Sequence, residues 1–397
     1  MSIGVRCLAW LLMIIVPGAA MAQARPPIKI GLLLPYTGVL NIQGTETTRG
    51  VELYLSKVGL KAGGREIQLL KEDDEAKPDV GLTKVKKLVE RDRVDFVVGP
   101  VHSGVALAIR GYIHEQGVPL VVPVAFTRDL TAPGNASPSI FRVVETTDQS
   151  NFPMGAWVMK NTKYRKIIIM ASDFVAGRHS AEAFIAGYRG AGGEIVKEVY
   201  APLGTADFAP FLSQAIGVQA DAVWAWFAGA DAIRFVKQYK EFGLADRFPL
   251  IGYNVLADDV ILPAIGDTAI GIVSVGIYTA TIDTPENKAF VQEFEQRHKG
   301  WPTRYAESGY ASAQLIVAAA ESLKGNLDDK AKVRDALKRS VTQITPPRGR
   351  FEFDQYNQAV LPFYVMKVER QGGRLVNAIL DKIPAVSQED TWKWWRK

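Results

Sequence analysis

The chain has 397 residues, 48% of them apolar and 22% charged, a balance that suits a globular protein with material for about two to three ordinary domains. Its formal charge of +5 is modest for this length, and acids and bases are interleaved, as in KEDDEAKPD and VERDRVD, which speaks against a nucleic-acid partner. The single cysteine, Cys7, lies in the N-terminal apolar run, so disulfides, cysteine zinc sites and thiol catalysis are excluded from the mature chain.

Residues 1–24 stand apart as a secretory signal peptide. Arg6 precedes the apolar run CLAWLLMIIVPGAA, and Ala20-Met21-Ala22 puts small residues at the cleavage spacing, so processing is expected near Ala22. Subtracting the charge of Arg6 from +5 leaves +4. The run is shorter than the ~18 apolar residues a membrane span needs, and no later segment supplies them. A soluble protein outside the cytoplasm is expected.

In chain order, the strand IKIGLLLP is followed by a helix from about Thr45 to Val58, the strand EIQLLKEDD and a helix from Asp79 to Arg91. VDFVVGP, a helix from Ser103 to Glu115 and VPLVVPVA continue the alternation. A second series runs through a helix near Met154, KIIIMASD, a helix from Gly177 to Arg189, GEIVKEVY, a helix near Pro210, DAVWAWF, a helix from Asp231 to Phe242, and PLIGY. Apolar strands alternating with helices imply parallel sheets covered on both faces, here as two α/β units in tandem. IVSVGIY then precedes helices from Pro285 to Lys299 and from Tyr305 to Leu323, and VMKVERQGGRLV reads as a hairpin turning at Gly372-Gly373.

Catalytic signals are scarce. There is no nucleophile elbow, zinc-binding His-Glu-x-x-His or phosphate loop with its lysine, and His102, His114, His179 and His298 lack metal-ligand spacing. No enzyme activity, cofactor or metal is expected. EDDEAKPD lacks the alternating ligands and glycine turn of a hard-cation loop and reads as a strand end followed by a helix start. RGAGGE lies between helix and strand, the reverse of a dinucleotide-binding turn. Trp224 and Trp226 alternate onto one strand face and read as core, whereas Phe227 lies at the carboxyl edge where ligands bind in open α/β sheets. TWKWWRK reads as a tail packed on one lobe. The turn in VGPVHSGVA is either an ordinary helix cap or an anion site, because a helix N-terminus offers free N–H groups and Ser103 adds a hydroxyl.

Taken in order, IKIGLLLPYTGVLNIQG, EDDEAKP, VGPVHSGVA, GVPLVVPVAFTRDLT, SDFVAGRHSAEAFIAGYRGAGGEIV, TADFAPFLSQ, FGLADRFPLIGY and YAESGYASAQLI resemble the periplasmic ligand-binding proteins of the leucine/isoleucine/valine type, which serve ABC importers. The resemblance covers residues 28–370 and implies two doubly wound parallel-sheet α/β lobes joined by three crossover segments, with ligand enclosed by hinge closure. By position, lobe 1 is expected at 25–147 and 277–350, and lobe 2 at 148–276 and 351–397. The implied biology is a monomer in the periplasm that hands a small molecule to a membrane permease.

The resemblance also turns VGPVHSGVA toward an anion. It implies that Ser103, Ala125 and Thr127 hold a ligand carboxylate, with His102 beside them and Tyr36, Gln43, Phe126, Phe227, Tyr253 and Tyr278 as walls. Three departures bear on the ligand. Asn254, in IGYNVLADD, stands where amino-acid binders carry an acidic partner for the ammonium; Phe126 adds an aromatic surface; Ala176 replaces the usual tyrosine before Gly177. Asp173, Asp231 and Asp258 are the remaining candidates to pair an ammonium. The expectation is a small carboxylate, aromatic or apolar-bodied, without an α-amino group. The alternatives are a branched-chain amino acid or amide, a ligand-sensing partner of a membrane receptor, and, least supported, a secreted hydrolase.

Overall fold

A computed structural model describes residues 25–395; the signal-peptide segment lies outside the described residues. The first sheet contains β1 (Ile28–Leu34), β2 (Lys61–Ala62), β3 (Arg65–Asp73), β4 (Phe96–Val98), β5 (Leu120–Val122) and β6 (Ile140–Arg142), in the order β2-β3-β1-β4-β5-β6. The second contains β7 (Lys166–Ser172), β8 (Glu194–Ala201), β9 (Ala222–Trp226), β10 (Leu250–Tyr253), β11 (Val273–Gly276), β12 (Glu352–Phe353), β13 (Ala359–Gln371) and β14 (Arg374–Val386). Their order is β12-β13-β11-β10-β9-β7-β8, with β14 on the free edge of β13. The centre of each sheet is parallel, and antiparallel pairs are confined to β2 with β3 and to the strands around β13. Apolar strands buried on both faces require helices on both, which is the doubly wound arrangement.

The helices are α1 (Asn41–Lys57), α2 (Pro78–Lys86), α3 (Ser103–Gln116), α4 (Thr147–Asn161), α5 (Val175–Gly190), α6 (Ala209–Leu212), α7 (Ala230–Glu241), α8 (Leu262–Ile265), α9 (Pro285–His298), α10 (Arg304–Ser322), α11 (Lys330–Ser340) and α12 (Gln388–Trp395). The chain passes between the sheets three times: after β6, after β11, and between α11 and β12. Among the described residues no helix is long and apolar enough to cross a membrane.

The fold differs from the sequence expectations in a few elements, each for a local reason. The helix α1 starts four residues early, because Gly44, which looks like a turn residue, sits inside it: a Cβ there would lie 1.9 Å from the Pro35 carbonyl oxygen. The last turn of the helix expected to Arg91 is π-helical over Lys87–Arg91. Neither β6 nor α11 was expected. The strand has only three residues and buries Arg142, so it carries no alternation to read. In α11 the apolar stripe Val333, Ala336 and Leu337 is present but short, set among charges. The hairpin forms as expected, with Gly372 and Gly373 both at positive φ between Gln371 and Arg374. The tail also packs: Trp394 stacks on Phe152 of α4, and Trp392 meets Tyr356.

The carboxylates of Glu72, Asp73 and Asp74 are occupied locally. Glu72 pairs with Lys84 and Lys87, Asp73 accepts from the Tyr36 and Glu75 amides and the Thr37 hydroxyl, and Asp74 accepts from Ala76. This is the strand-to-helix junction expected from the sequence.

In lobe 1, α1 and α10 touch backbone to backbone. A Cβ on Gly50 would lie 1.8 Å from the Ala306 carbonyl oxygen, and one on Gly309 would lie 2.2 Å from that of Thr47. Only glycine permits this approach.

Candidate ligand-binding site

In each sheet the strand order reverses direction beside the first strand of the unit, between β1 and β4 and between β7 and β9. The loops that leave the carboxyl ends of these strands diverge there and leave a crevice. The two crevices face one another. Between them lies a narrow cavity, about 330 Å³ of space between atoms when the part that opens to solvent is included. Lobe 1 lines it with Leu40 and Gln43 at the start of α1, Val101 before α3, Val124 and Phe126 after β5, and Arg304 and Tyr305 at the start of α10. Lobe 2 contributes Phe174 and Ala176 at the start of α5, Trp226 and Ala228 after β9, and Val255 after β10.

The α3 edge is set by Gly99, at φ 137°, where a Cβ would lie 2.0 Å from the Leu33 carbonyl oxygen. The N-cap of α3 is His102 rather than Ser103. Ser103, one residue later, accepts a 3.3 Å hydrogen bond from the Thr127 amide, tying the helix start to the loop after β5. That loop is clamped from behind by the buried Arg142, which donates to the carbonyl oxygens of Thr127 at 2.7 Å and Ala125 at 3.5 Å, and to Thr131 and Gln358. Burial pulls the Arg142 pKa down to about 9. His102 stacks on Phe174 of lobe 2, rings 5.0 Å apart, and its buried Nδ1 has no hydrogen-bond partner among the described residues. Burial holds its pKa down at about 4, so the imidazole is neutral at physiological pH.

Aromatic rings continue across the cleft. Phe126 stacks on Tyr253 at 5.1 Å and approaches Trp226 at 6.0 Å, while Phe174 meets Trp226 edge-on at 5.3 Å. Polar contacts also cross it. The Gln43 carboxamide, oriented to satisfy both ends, accepts from Gly229 N and donates to Leu40 O, each at 3.0 Å. Thr127 Oγ1 lies 3.0 Å from His179 Nδ1, and Arg128 pairs with Glu182.

Of the residues expected from sequence, Gln43 and Phe126 line the cavity, and Ser103, His102, Ala125, Thr127 and Tyr253 lie one layer behind it. The others lie elsewhere. Tyr36 spends its hydroxyl on Thr48, and Tyr278 donates to Asn287 inside the lobe 1 core. Asn254 is buried, with neither amide atom partnered among the described residues, and does not line the cavity. For Phe227 and Trp226 the expected roles are exchanged. Successive side chains of a strand point to opposite faces, so Trp226 faces the cleft while Phe227 enters a cluster with Phe208 and Phe235 on the far side of the second sheet.

The residues sequence reasoning missed are Arg304, Tyr305, Phe174 and Glu145. Arg304 Nη2 donates to Glu145 Oε1 at 2.9 Å, with the two side chains 1% and 0% exposed, and the Tyr253 hydroxyl donates to the same oxygen. Burial, the largest single influence, pulls the Arg304 pKa down, but Glu145, Tyr305 and Asp258 together outweigh it and the net shift is upward. One sequence signal existed: Arg304 occupies the first turn of α10, where the helix dipole disfavours a cation.

None of the acids proposed for an ammonium lines the cavity. Asp173 pairs with Arg178 on the surface, and Asp231 accepts from Gly204 and Arg234. Asp258 is fully buried, and burial with Asp259 beside it pushes its pKa up to about 8.

A sequence profile described as periplasmic binding protein matches residues 27–374. The chain belongs to the periplasmic binding protein family. This periplasmic binding protein is 28% identical over 341 residues to Leu/Ile/Val-binding protein homolog 6 of Brucella melitensis, a match spanning 85% of this chain and 86% of that one. Among solved structures it is similar to a solute binding protein of an ABC transporter from R. palustris in complex with benzoate, with a TM-score of 0.85 and 31% identity over 91% of this chain and 98% of that one. It is also similar to an ABC transporter substrate-binding protein from Sphaerobacter thermophilus, with a TM-score of 0.82 and 37% identity over 90% and 98% of the two chains. The family is one of periplasmic solute-binding proteins, which are not enzymes, and both structural relatives are solute-binding components of ABC transporters.

Proposed function

We propose that this protein is a monomeric component of an import system, that it binds a small carboxylate with an aromatic body and no α-amino group, and that it delivers this ligand to the permease. The observation that carries the reading is the cavity wall: aromatic rings from both lobes, one arginine, and no carboxylate. An enclosed ammonium without a counter-charge costs several kcal/mol, on the order of the effective desolvation penalty of an ion. Each aromatic contact with a ligand ring adds roughly 0.5–1.5 kcal/mol. The similarities alone do not choose, since a Leu/Ile/Val-binding homologue and a benzoate-bound protein are about equally identical to this chain.

In this reading the carboxylate sits at the α3 N-terminus, where the first N–H groups lack intrahelical acceptors. Ser103 Oγ accepts from Thr127 and keeps its own proton to donate; Ala125 and Thr127 shape the loop opposite. Phe126 and Trp226 hold the ring between residues 25–147 with 277–350 on one side and 148–276 with 351–397 on the other, and closure proceeds about the three crossings. Calorimetric titration with benzoate, leucine and valine at one pH and salt tests the reading. Micromolar or tighter binding of benzoate, with neither amino acid bound, is expected. Leucine binding without benzoate binding refutes it.

A further inference from the structure

Arg304 carries more hydrogen-bonding capacity than the protein uses. It lines the cavity, yet its Nε is buried and has no acceptor among the described residues. A buried donor left unsatisfied is costly, so such a group marks a place where a ligand atom completes the structure. The guanidinium is caged by three rings, 6.0 Å from the centre of Phe126, 5.3 Å from Tyr253 and 5.4 Å from Tyr305.

The charge count decides what the atom is. Arg304 is already neutralised by Glu145, and the neighbouring Arg348 is neutralised by Glu307 at 2.8 Å. Asp258 also lies near Arg304, but burial, with Asp259 beside it, pushes its pKa up to about 8, which favours its neutral form at neutral pH. A second ligand anion brought to Arg304 would leave the buried cluster one negative charge in excess, which a low-dielectric interior penalises. A neutral oxygen would not. It accepts the spare N–H and leaves the Arg304–Glu145 pair intact.

We infer that Arg304 is a specificity-determining residue that donates a hydrogen bond from Nε to a neutral oxygen substituent, a hydroxyl or ether, on the ring of the bound aromatic acid. This rests on the aromatic-acid reading of the cavity and narrows its substrate class from benzoates in general to oxygenated ones. Gln43 does not compete for the role, since both ends of its carboxamide are engaged. Trp226 does, because its buried Nε1 is also unpartnered.

The test uses isosteric pairs. Wild-type protein is titrated with benzoate, with 3- and 4-hydroxybenzoate, and with 3- and 4-methylbenzoate, in which a methyl replaces the hydroxyl at similar volume. A hydroxyl preference of about tenfold or more is expected at one ring position, the scale of a hydrogen bond to a charged group. Arg304→Lys keeps a cation for Glu145 but removes the Nε donor, so the hydroxyl-to-methyl affinity ratio should fall below about threefold, whatever the variant's affinity for benzoate itself. The wild type alone supplies a second measurement: 4-methoxybenzoate should outbind 4-ethylbenzoate, because an ether oxygen can only accept. Benzoate binding with no discrimination in any pair overturns the inference and leaves the proposed function standing. A hydroxyl preference that survives in Arg304→Lys also overturns it and moves the donor to Trp226. Failure of every aromatic acid to bind, with leucine bound, overturns the proposed function instead.

Discussion

Glu145→Gln isolates the energetics of the buried charge at the centre of the molecule. Glu145 lies on the first crossing and receives Arg304 from lobe 1 and Tyr253 from lobe 2 on a single oxygen. Glutamine preserves the shape and the accepting oxygen and removes only the charge, leaving the Arg304 guanidinium buried without a counter-ion. Breaking a buried pair in this way costs about 3–5 kcal/mol. The exposed pair Lys240–Asp246 has a similar separation, 2.8 Å, but its side chains are 51% and 75% exposed; Asp246→Asn should cost no more than ~1 kcal/mol. Urea unfolding by linear extrapolation measures both, provided the slopes match that of the wild type. The double variant Glu145→Gln with Arg304→Gln, which buries no unpaired charge, should recover a large part of the loss. A cost below ~1 kcal/mol for Glu145→Gln, or a double variant no more stable than the single one, refutes the assignment of Glu145 as the counter-charge.

Ser103→Ala should weaken carboxylate binding by about 1.5–3 kcal/mol in calorimetry, the scale of a hydrogen bond to a charged group, while the protein remains folded; unchanged affinity would reduce Ser103 to its bond with Thr127. His102 is neutral when folded down to about pH 4 but titrates near 6.5 when unfolded, so stability is unaffected above pH 6.5 and is lost as pH falls toward 4. Between pH 7 and pH 4.5 the wild type should therefore lose about 2–3 kcal/mol more than His102→Gln in urea titrations, and parallel losses would contradict the burial argument. Gly309→Ala forces a methyl onto the Thr47 carbonyl oxygen and should destabilise by about 1–3 kcal/mol. Gly111→Ala in α3, where nothing lies within 4 Å, should instead stabilise by roughly 0.5–1 kcal/mol.

The architecture was legible because its signals are local and repeated: apolar strands bounded by turns, amphipathic helices between them, and Gly372-Gly373 in the hairpin. The site was only half legible. Gln43, in the first turn of the helix after β1, and Phe126, on the loop after β5, both lie beyond the carboxyl ends of strands, which fold-level reasoning points to, and both line the cavity. Phe227 failed for a reason visible in hindsight, since strand alternation allows only one of Trp226 and Phe227 to face the cleft, and choosing between them requires knowing which face of β9 the other lobe covers. Glu145 and Arg304 are 159 residues apart in sequence, and nothing short-range links them. Asn254 shows the limit from the other side: it was read as a departure from a motif and as a ligand contact, but a motif does not say where a side chain ends up, and this one does not line the cavity.

The glycine contact between α1 and α10 has a kinetic meaning. The starts of these two helices carry Leu40, Gln43, Arg304 and Tyr305, a large share of what lobe 1 offers a ligand. Because their backbones touch at Gly50 and Gly309, swinging the lobes apart cannot separate them, and the half-site they form stays assembled when the jaws open. On the proposed function, a ligand arriving from the periplasm would meet that half ready-made, with the second lobe closing on it afterwards. The capture rate would then belong to diffusion onto one rigid surface, and the residence time to the slower parting of the lobes, the step an importing permease would have to drive.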